Sequence, residues 1–382
     1  MAHLNHKTRV AFSVTNCICF DQRVRKIAET VSNLNCDIVL IGRKSGDCCE
    51  KDKIRFRTVR FRMLFKKGFL FYKFYNIRLF FWLLFQKYDI LVANDLDTLL
   101  PNFLVSKLKG LPLVYDSHEY FTGVPEVQSR PFVKWVWKTI ERAIFPHLDN
   151  VTTVTDSVAA QYEKEYGIKP AVLRNCSRTS SGIRGYSHHE LGISDDHLIL
   201  VYQGGGINID KGGEELIEAV NITENVSLLV VGSGDVLPDL KQKVSELNLS
   251  DRVKFIPKVP WEELMRYTRS ADAGMSLEKD TNLNYRFSLP NKIFDYISAG
   301  IPVITGSLPE IKKLVEENGC GIIISEITPV EISKAINRLK NDHDLLNKLK
   351  QNAVRASETI SWENESKKVI KFYKDVLSLP DH

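Results

Sequence analysis

Leu198-Ile-Leu-Val-Tyr-Gln-Gly-Gly-Gly-Ile-Asn-Ile-Asp-Lys-Gly-Gly213 runs from apolar residues through a glycine-rich turn to a lysine, and an amphipathic stretch opens near Glu214. A strand at Leu198 to Tyr202 that passes through such a turn into a helix is the building unit of a parallel α/β sheet. The same turn carries chemistry. Gly204, Gly205 and Gly206 let a ligand approach the backbone closely, the helix N-terminus favours an anion, and Lys211 adds a full positive charge, so the loop reads as a diphosphate cradle. It lacks the Gly-Lys-Ser/Thr of a Walker A loop, and its glycines do not have the dinucleotide-fingerprint spacing.

Outward from this loop the alternation of short apolar runs and amphipathic stretches continues in both directions. Toward the C-terminus the candidate strands are Ser227 to Val231, Val253 to Ile256, Ala273 to Leu277, Val303 to Ile304 and Gly321 to Ile324. Toward the N-terminus they are Arg9 to Val14, Asp37 to Ile41, Ile54 to Phe61, Ile90 to Ala93, Leu113 to Tyr115 and Val151 to Val154. Helix-length spacers between them fit right-handed crossovers, which predicts two Rossmann-like, doubly wound parallel sheets. Cys176 to Asp196 has little apolar periodicity and is expected to be the linker. The expected domains are 1–175 and 176–361, with a C-terminal helix over 362–382 packing back on the first, and ligands are expected in a cleft at the strands' C-terminal ends.

Composition supports a globular chain. Of 382 residues 43% are hydrophobic and 26% charged, which excludes intrinsic disorder, and the 21 Gly and 14 Pro show no repeat period. The 7 Cys form no paired knuckles, so a reduced, cytosolic chain is expected. The scattered His and the absence of an Asp-x-Asp element at a strand end of the second half predict no metal, and no serine or cysteine has a nucleophile-elbow context. Residues 1–90 carry a net charge of +11 and the remainder −6, which points the first domain at an anionic partner without any nucleic-acid signature. Residues 55–87 concentrate this charge: nine Lys or Arg, no acid, and twelve aromatics from Phe56 to Phe85. They read either as an interfacial helix on an anionic bilayer or as a core helix packed on the sheet.

Ser288-Leu-Pro-Asn-Lys-Ile-Phe-Asp-Tyr-Ile-Ser-Ala-Gly300 reads as a helix with Pro290 near its start, Ile293, Phe294 and Ile297 buried, and Gly300 as its stop. Lys292 and Asp295 are expected on the other face, as a surface ion pair or as ligand contacts. His118, in Asp116-Ser-His-Glu119, follows a predicted strand, and with Asp95, Asp97, Asp116 and Glu119 it lies at strand ends. The acids there would bind hydroxyls or cap helices, and capping is the expected role of Asp97.

The order of these segments, with Val230-Val-Gly-Ser-Gly234, Tyr267-Thr-Arg-Ser-Ala-Asp272 and the Pro290 to Ile304 run, resembles the nucleotide-sugar glycosyltransferases of family 4, retaining enzymes of the GT-B fold. Phe20-Asp-Gln-Arg-Val-Arg, Ala93-Asn-Asp-Leu-Asp-Thr-Leu-Leu-Pro101 and Val114-Tyr-Asp-Ser-His-Glu119 resemble that family's acceptor-domain segments. The resemblance implies that Lys211 binds the donor diphosphate, with Gly204, Gly205, Gly206, Pro290, Asn291 and Lys292 around it, and that Asp295 holds the ribose. It places His118 beside the donor sugar, as a candidate catalytic residue with Lys211. It assigns Arg23, Asp95, Asp116 and Glu119 to the acceptor. Two positions depart from the family: Phe287 stands where its first acid would fall, and Gly205 near where an arginine would partner the lysine. Glu278 is the expected substitute acid, and Arg286 or Lys292 the substitute cation. The implied activity is metal-independent, cofactor-free sugar transfer from a nucleoside diphosphate donor to a saccharide or lipid-linked saccharide during surface polysaccharide assembly. A sugar-nucleotide epimerase and a non-catalytic nucleotide- or carbohydrate-binding protein are the alternatives.

Overall fold

The computed structural model describes residues 7–19, 21–44 and 54–378. Phe20, quoted above, and two of the seven cysteines, Cys48 and Cys49, lie outside the described residues. The chain divides into two compact units, residues 1–174 with 365–382, and residues 175–364.

Unit 1 contains β1 (Thr8–Ser13), α1 (Gln22–Ser32), β2 (Cys36–Arg43), β3 (Arg57–Phe61), α2 (Gly68–Phe85), β4 (Ile90–Asn94), α3 (Leu96–Lys109), β5 (Leu113–Ser117), α4 (Pro125–Gln128), α5 (Pro131–Ile144), β6 (Asn150–Thr153), α6 (Asp156–Tyr166) and β7 (Ala171–Val172). Its sheet is parallel, in the order β3-β2-β1-β4-β5-β6-β7. Unit 2 contains α7 (His188–Leu191), β8 (Leu198–Gly204), α8 (Gly213–Asn221), β9 (Val226–Gly232), α9 (Leu237–Glu246), β10 (Val253–Pro257), α10 (Trp261–Ser270), β11 (Ala273–Ser276), α11 (Leu283–Phe287), α12 (Asn291–Ala299), β12 (Val303–Thr305), α13 (Pro309–Asn318), β13 (Gly321–Ile323), α14 (Pro329–Asn341) and α15 (His343–Thr359). Its parallel sheet runs β10-β9-β8-β11-β12-β13. Each sheet winds outward both ways from an inner pair, β1 and β4 or β8 and β11, and ligands of such sheets bind where the direction reverses.

Continuous apolar runs make these strands because both faces are covered by helices. On β8, Leu198, Leu200 and Tyr202 pack toward α8, α9 and α14, while Ile199 and Val201 pack toward α10, α12 and α13. In unit 1, α2 presents Phe71, Tyr75, Leu79 and Leu83 to the interior at four-residue spacing, so the core reading of 55–87 holds for that stripe.

Three expectations are corrected. The 176–196 stretch is no linker: it belongs to unit 2, where Ser180 Oγ donates to the Ser298 carbonyl at 2.6 Å and Ser187 starts α7 with a reciprocal capping box. Short polar side chains hold it, and they leave no apolar period to read. The all-thiol expectation fails at Cys17 and Cys19, which are disulfide-bonded, whereas Cys36, Cys176 and Cys320 are buried thiols outside any disulfide. The third is the set of first-half strands, which omits the edge strand β7, at 2 residues too short to show as a run. The final helix, α16 (Trp362–Leu377), begins in unit 2, and from Glu365 it belongs to unit 1, where Val369 and Tyr373 are buried.

Candidate functional site

In unit 2 the loops after β8 and β9 pack directly on each other through glycine. A side chain at Gly232 would meet the Gly204 carbonyl at 1.9 Å, and one at Gly234 the Ile207 carbonyl at 2.0 Å. Gly212, the residue before α8, has φ +72° and sits against Leu277, whose Cβ would be 2.4 Å from an added Cβ. These three glycines are required by the fold. Gly204, Gly205 and Gly206 are not: none has a positive φ, an added Cβ at Gly205 meets nothing within 4 Å, and at Gly204 and Gly206 nothing lies closer than 3.6 Å. Space lies beside the backbone at the three positions the sequence reserves for close approach.

Lys211 lies in this loop, its carbonyl accepting from the Tyr202 hydroxyl at 2.9 Å and its Nζ 5.8 Å from the centre of the Tyr285 ring. Just past the end of β11, buried Glu278 pairs with Lys292 Nζ at 2.7 Å and accepts from Ser276 Oγ at 2.7 Å. Burial would raise the Glu278 carboxyl, but Lys292, Ser276 and the Lys211 charge hold it below its ordinary value. Lys292 in turn lies over the Tyr202 ring at 4.8 Å. Two lysines and one carboxylate therefore gather beside the open glycine turn.

The surface ion pair between Lys292 and Asp295 is corrected. Asp295 is buried and accepts from Ser177 Oγ at 2.5 Å, Gln203 Nε2 at 3.0 Å and Trp261 Nε1 at 3.2 Å, so it ties β8, α10 and the 175–180 segment to α12. Pro290 is the N-cap of α12 with no side-chain cap bond, and Asn291 Oδ1 accepts from Asn175 Nδ2 at 2.9 Å. Arg286 lies 3.8 Å from Asp280 in a half-exposed pair. Ser177, Gln203 and Trp261 were invisible in the sequence because a single hydrogen-bonding residue in a loop, in a strand or at the start of a helix carries no spacing signal.

In unit 1 the strand ends assemble a second constellation. Arg23 grips Asp116 with two bonds, Nε to Oδ2 at 3.0 Å and Nη2 to Oδ1 at 2.6 Å, and Thr152 Oγ1 donates to Oδ1 at 2.7 Å. His118 lies between two carboxylates, with Nε2 3.2 Å from Asp116 and Nδ1 3.3 Å from Asp95. Against the desolvation that would lower it, Asp95 and Asp116 raise the imidazole to about 10. With a carboxylate beside each ring nitrogen the imidazole favours its protonated form, which suits His118 to the role of a cation or a proton donor more than to that of a general base.

Asp95 has φ 61° and ψ 166°, a backbone region that is nearly glycine-only, and its Oδ1 accepts from the His118 amide at 2.8 Å. It is Asp95 that stands at the N-cap of α3, without a side-chain cap bond; the capping expected of Asp97 is corrected. Asp97 is buried within the helix and accepts from Thr15 Oγ1 at 2.5 Å. Burial and the neighbouring Asp95 charge raise it to about 8. Glu119 is partly buried, and its charge adds to the rise at Asp97. Among the described residues no group of His, Cys, Asp and Glu could hold a metal ion.

Solved structures share this architecture. Sucrose-phosphate synthase from Thermosynechococcus elongatus superposes with a TM-score of 0.81 at 16% identity, covering 97% of this chain and all, 100%, of that one. Anabaena HepE, solved in complex with UDP-glucose, gives 0.75 at 15% identity, covering 96% and 99%. The fold is GT-B, two Rossmann-like domains. A family model described as "Glycosyl transferases group 1" matches residues 187–356, and one described as "Glycosyltransferase Family 4" matches 22–176, so the chain belongs to the family 4 glycosyltransferases. Chitobiosyldiphosphodolichol beta-mannosyltransferase of Debaryomyces hansenii is 34% identical over 268 residues, 61% of this chain and 55% of that protein. The chain spans about half the length of these curated relatives.

Proposed function

We propose that this protein moves a sugar, with retention at the anomeric carbon, from a nucleoside diphosphate donor to a saccharide or lipid-linked saccharide acceptor in surface polysaccharide assembly. The observation that carries the reading is the open turn at Gly204 to Gly206 with Lys211, Lys292 and Glu278 gathered beside it. The turn admits a diphosphate to the backbone, and Lys211 answers its charge as the bond to the anomeric carbon breaks and the electron pair leaves with the phosphate. Lys292 supplies the second cation in place of the arginine absent at Gly205, so no metal ion is required. Glu278, kept ionised by Lys292, accepts hydrogen bonds from the donor sugar in place of the acid absent at Phe287. Asp295 offers an acceptor to the ribose. In unit 1, Asp95 and Glu119 receive acceptor hydroxyls, while Asp116, buried and bonded on both oxygens by Arg23, Thr152 and His118, positions that edge and does not meet the acceptor itself. The acceptor oxygen replaces the diphosphate, and its proton leaves with that group.

The basic, aromatic character of the 55–87 segment supports a site of action on the cytoplasmic face of an anionic membrane, beside a lipid-linked acceptor. Among the described residues no helix is long and apolar enough to cross a membrane. Incubation with a panel of radiolabelled nucleotide sugars, with and without lipid extract and chelator, tests the reading. Transfer that survives chelation supports it. Isomerisation of the donor, or retention of label without reaction, overturns it in favour of an epimerase or a binding protein.

A further inference from the structure

The stripe of α2 that faces the core accounts for only one side of that helix. On its other side Phe69, Phe74, Phe81 and Phe85 are 60%, 47%, 51% and 76% exposed. A helix that only covers a sheet carries polar residues there. A second exposed pair lies nearby on α5: Phe132 and Trp135, 67% and 64% exposed, stack on each other with ring centres 6.0 Å apart. Tyr72 of α2 meets Trp137 of α5 edge-on at 5.4 Å, so the N-terminal part of α2 and the first turns of α5 are neighbours within unit 1. Exposed aromatics of this extent on two neighbouring helices mark an interaction surface.

Charge selects the partner. Residues 53–88 contain no acid, Lys66, Lys67 and Lys73 are exposed along the aromatic stripe, and Arg130 and Lys134 are exposed at the start of α5. Aromatics that bury in the acyl boundary beside lysines that reach the headgroups fit an anionic lipid surface. We propose that α2 and α5 form one docking face for an anionic bilayer, in which Phe132 and Trp135 are a second insertion point. This rests on the membrane reading of 55–87 and extends it to a helix outside that segment. Two separated points of insertion fix the orientation of unit 1 on the surface, which one helix lying along it does not.

The test is co-sedimentation of the full chain with vesicles of phosphatidylglycerol and phosphatidylcholine, against phosphatidylcholine alone, with tryptophan quenching by brominated acyl chains. Wild type is expected to sediment with the anionic vesicles only. Lys66→Gln, Lys67→Gln and Lys73→Gln together weaken binding on the order of 100-fold, from about 1 kcal/mol per cation. Phe132→Ser with Trp135→Ser weakens it at least tenfold with an unchanged melting temperature, since both side chains are exposed. Trp135→Phe still sediments but loses most of the quenching. Wild-type binding left intact by the Phe132 and Trp135 changes overturns the role of α5 and leaves the α2 reading standing; no wild-type binding to either vesicle overturns both. A lipid-free dimer abolished by the same two changes shows that a second copy covers the face and overturns the lipid assignment. Transfer to a water-soluble acceptor, measured in parallel, reports separately on the catalytic reading.

Discussion

Lys211 and Asp97 put single charges to opposite uses. Lys211 stands at an open turn, where the proposed function gives it the departing diphosphate; on that reading Lys211→Ala should lower kcat/KM by about 2–4 kcal/mol of transition-state stabilisation while the melting temperature stays put. Turnover within threefold of wild type would remove it from the mechanism. Asp97 is shut inside α3, and its carboxyl is raised to about 8 by burial and by Asp95. The folded state therefore holds a proton that the unfolded chain releases near pH 4, and stability from this group falls as pH rises from about 4 to 8. His118, raised to about 10, acts in the same direction: its contribution is complete below pH ~6.5 and is lost as pH climbs through 10. Thermal melts across pH should show unit 1 weakening toward alkali, and Asp97→Asn should flatten the part between pH 4 and 8. An unchanged slope in that variant assigns the titration to another group.

Elements are joined at glycines, and those of unit 2 divide by what surrounds them. Gly212→Ala forces a Cβ onto Leu277 at φ +72° and should cost about 2–4 kcal/mol of stability. Gly205→Ala should cost less than about 0.5 kcal/mol, because nothing lies within 4 Å, yet should weaken nucleoside diphosphate binding at least tenfold in calorimetry. Equal nucleotide affinity in the Gly205 variant would show that no ligand approaches there. Both glycines looked alike in the sequence, as members of one glycine-rich turn. Only the neighbours in space, Leu277 for one and open volume for the other, separate a structural glycine from a binding one.

At the scale of the whole molecule, unit 1 is closed by the far end of the chain. From Glu365 onward α16 buries Val369 and Tyr373, sets the Tyr373 ring with its centre 6.3 Å from that of Phe12 on β1, and offers Glu365 Oε1 to the Arg174 amide at 2.8 Å. A chain ending at Asn364 should therefore lose the unit 1 melting transition, or have it shifted many degrees lower, and keep that of unit 2. A single unshifted melt would show that α16 adds nothing to unit 1. The strands, the helix after the glycine turn and the helix from Asn291 were legible in the sequence because apolar period and glycine punctuation are local properties, set by neighbours along the chain. So was the gathering of acids at the strand ends of unit 1, since a parallel strand delivers whatever follows it to the same edge of the sheet. Their roles were not legible. That Asp295 binds Ser177, Gln203 and Trp261, that Lys292 turns to Glu278, and that His118 lies between Asp95 and Asp116 depend on partners up to 118 residues apart. A side chain's charge state and availability follow from the dielectric and the partners that packing places around it, and these are decided only when the chain has folded.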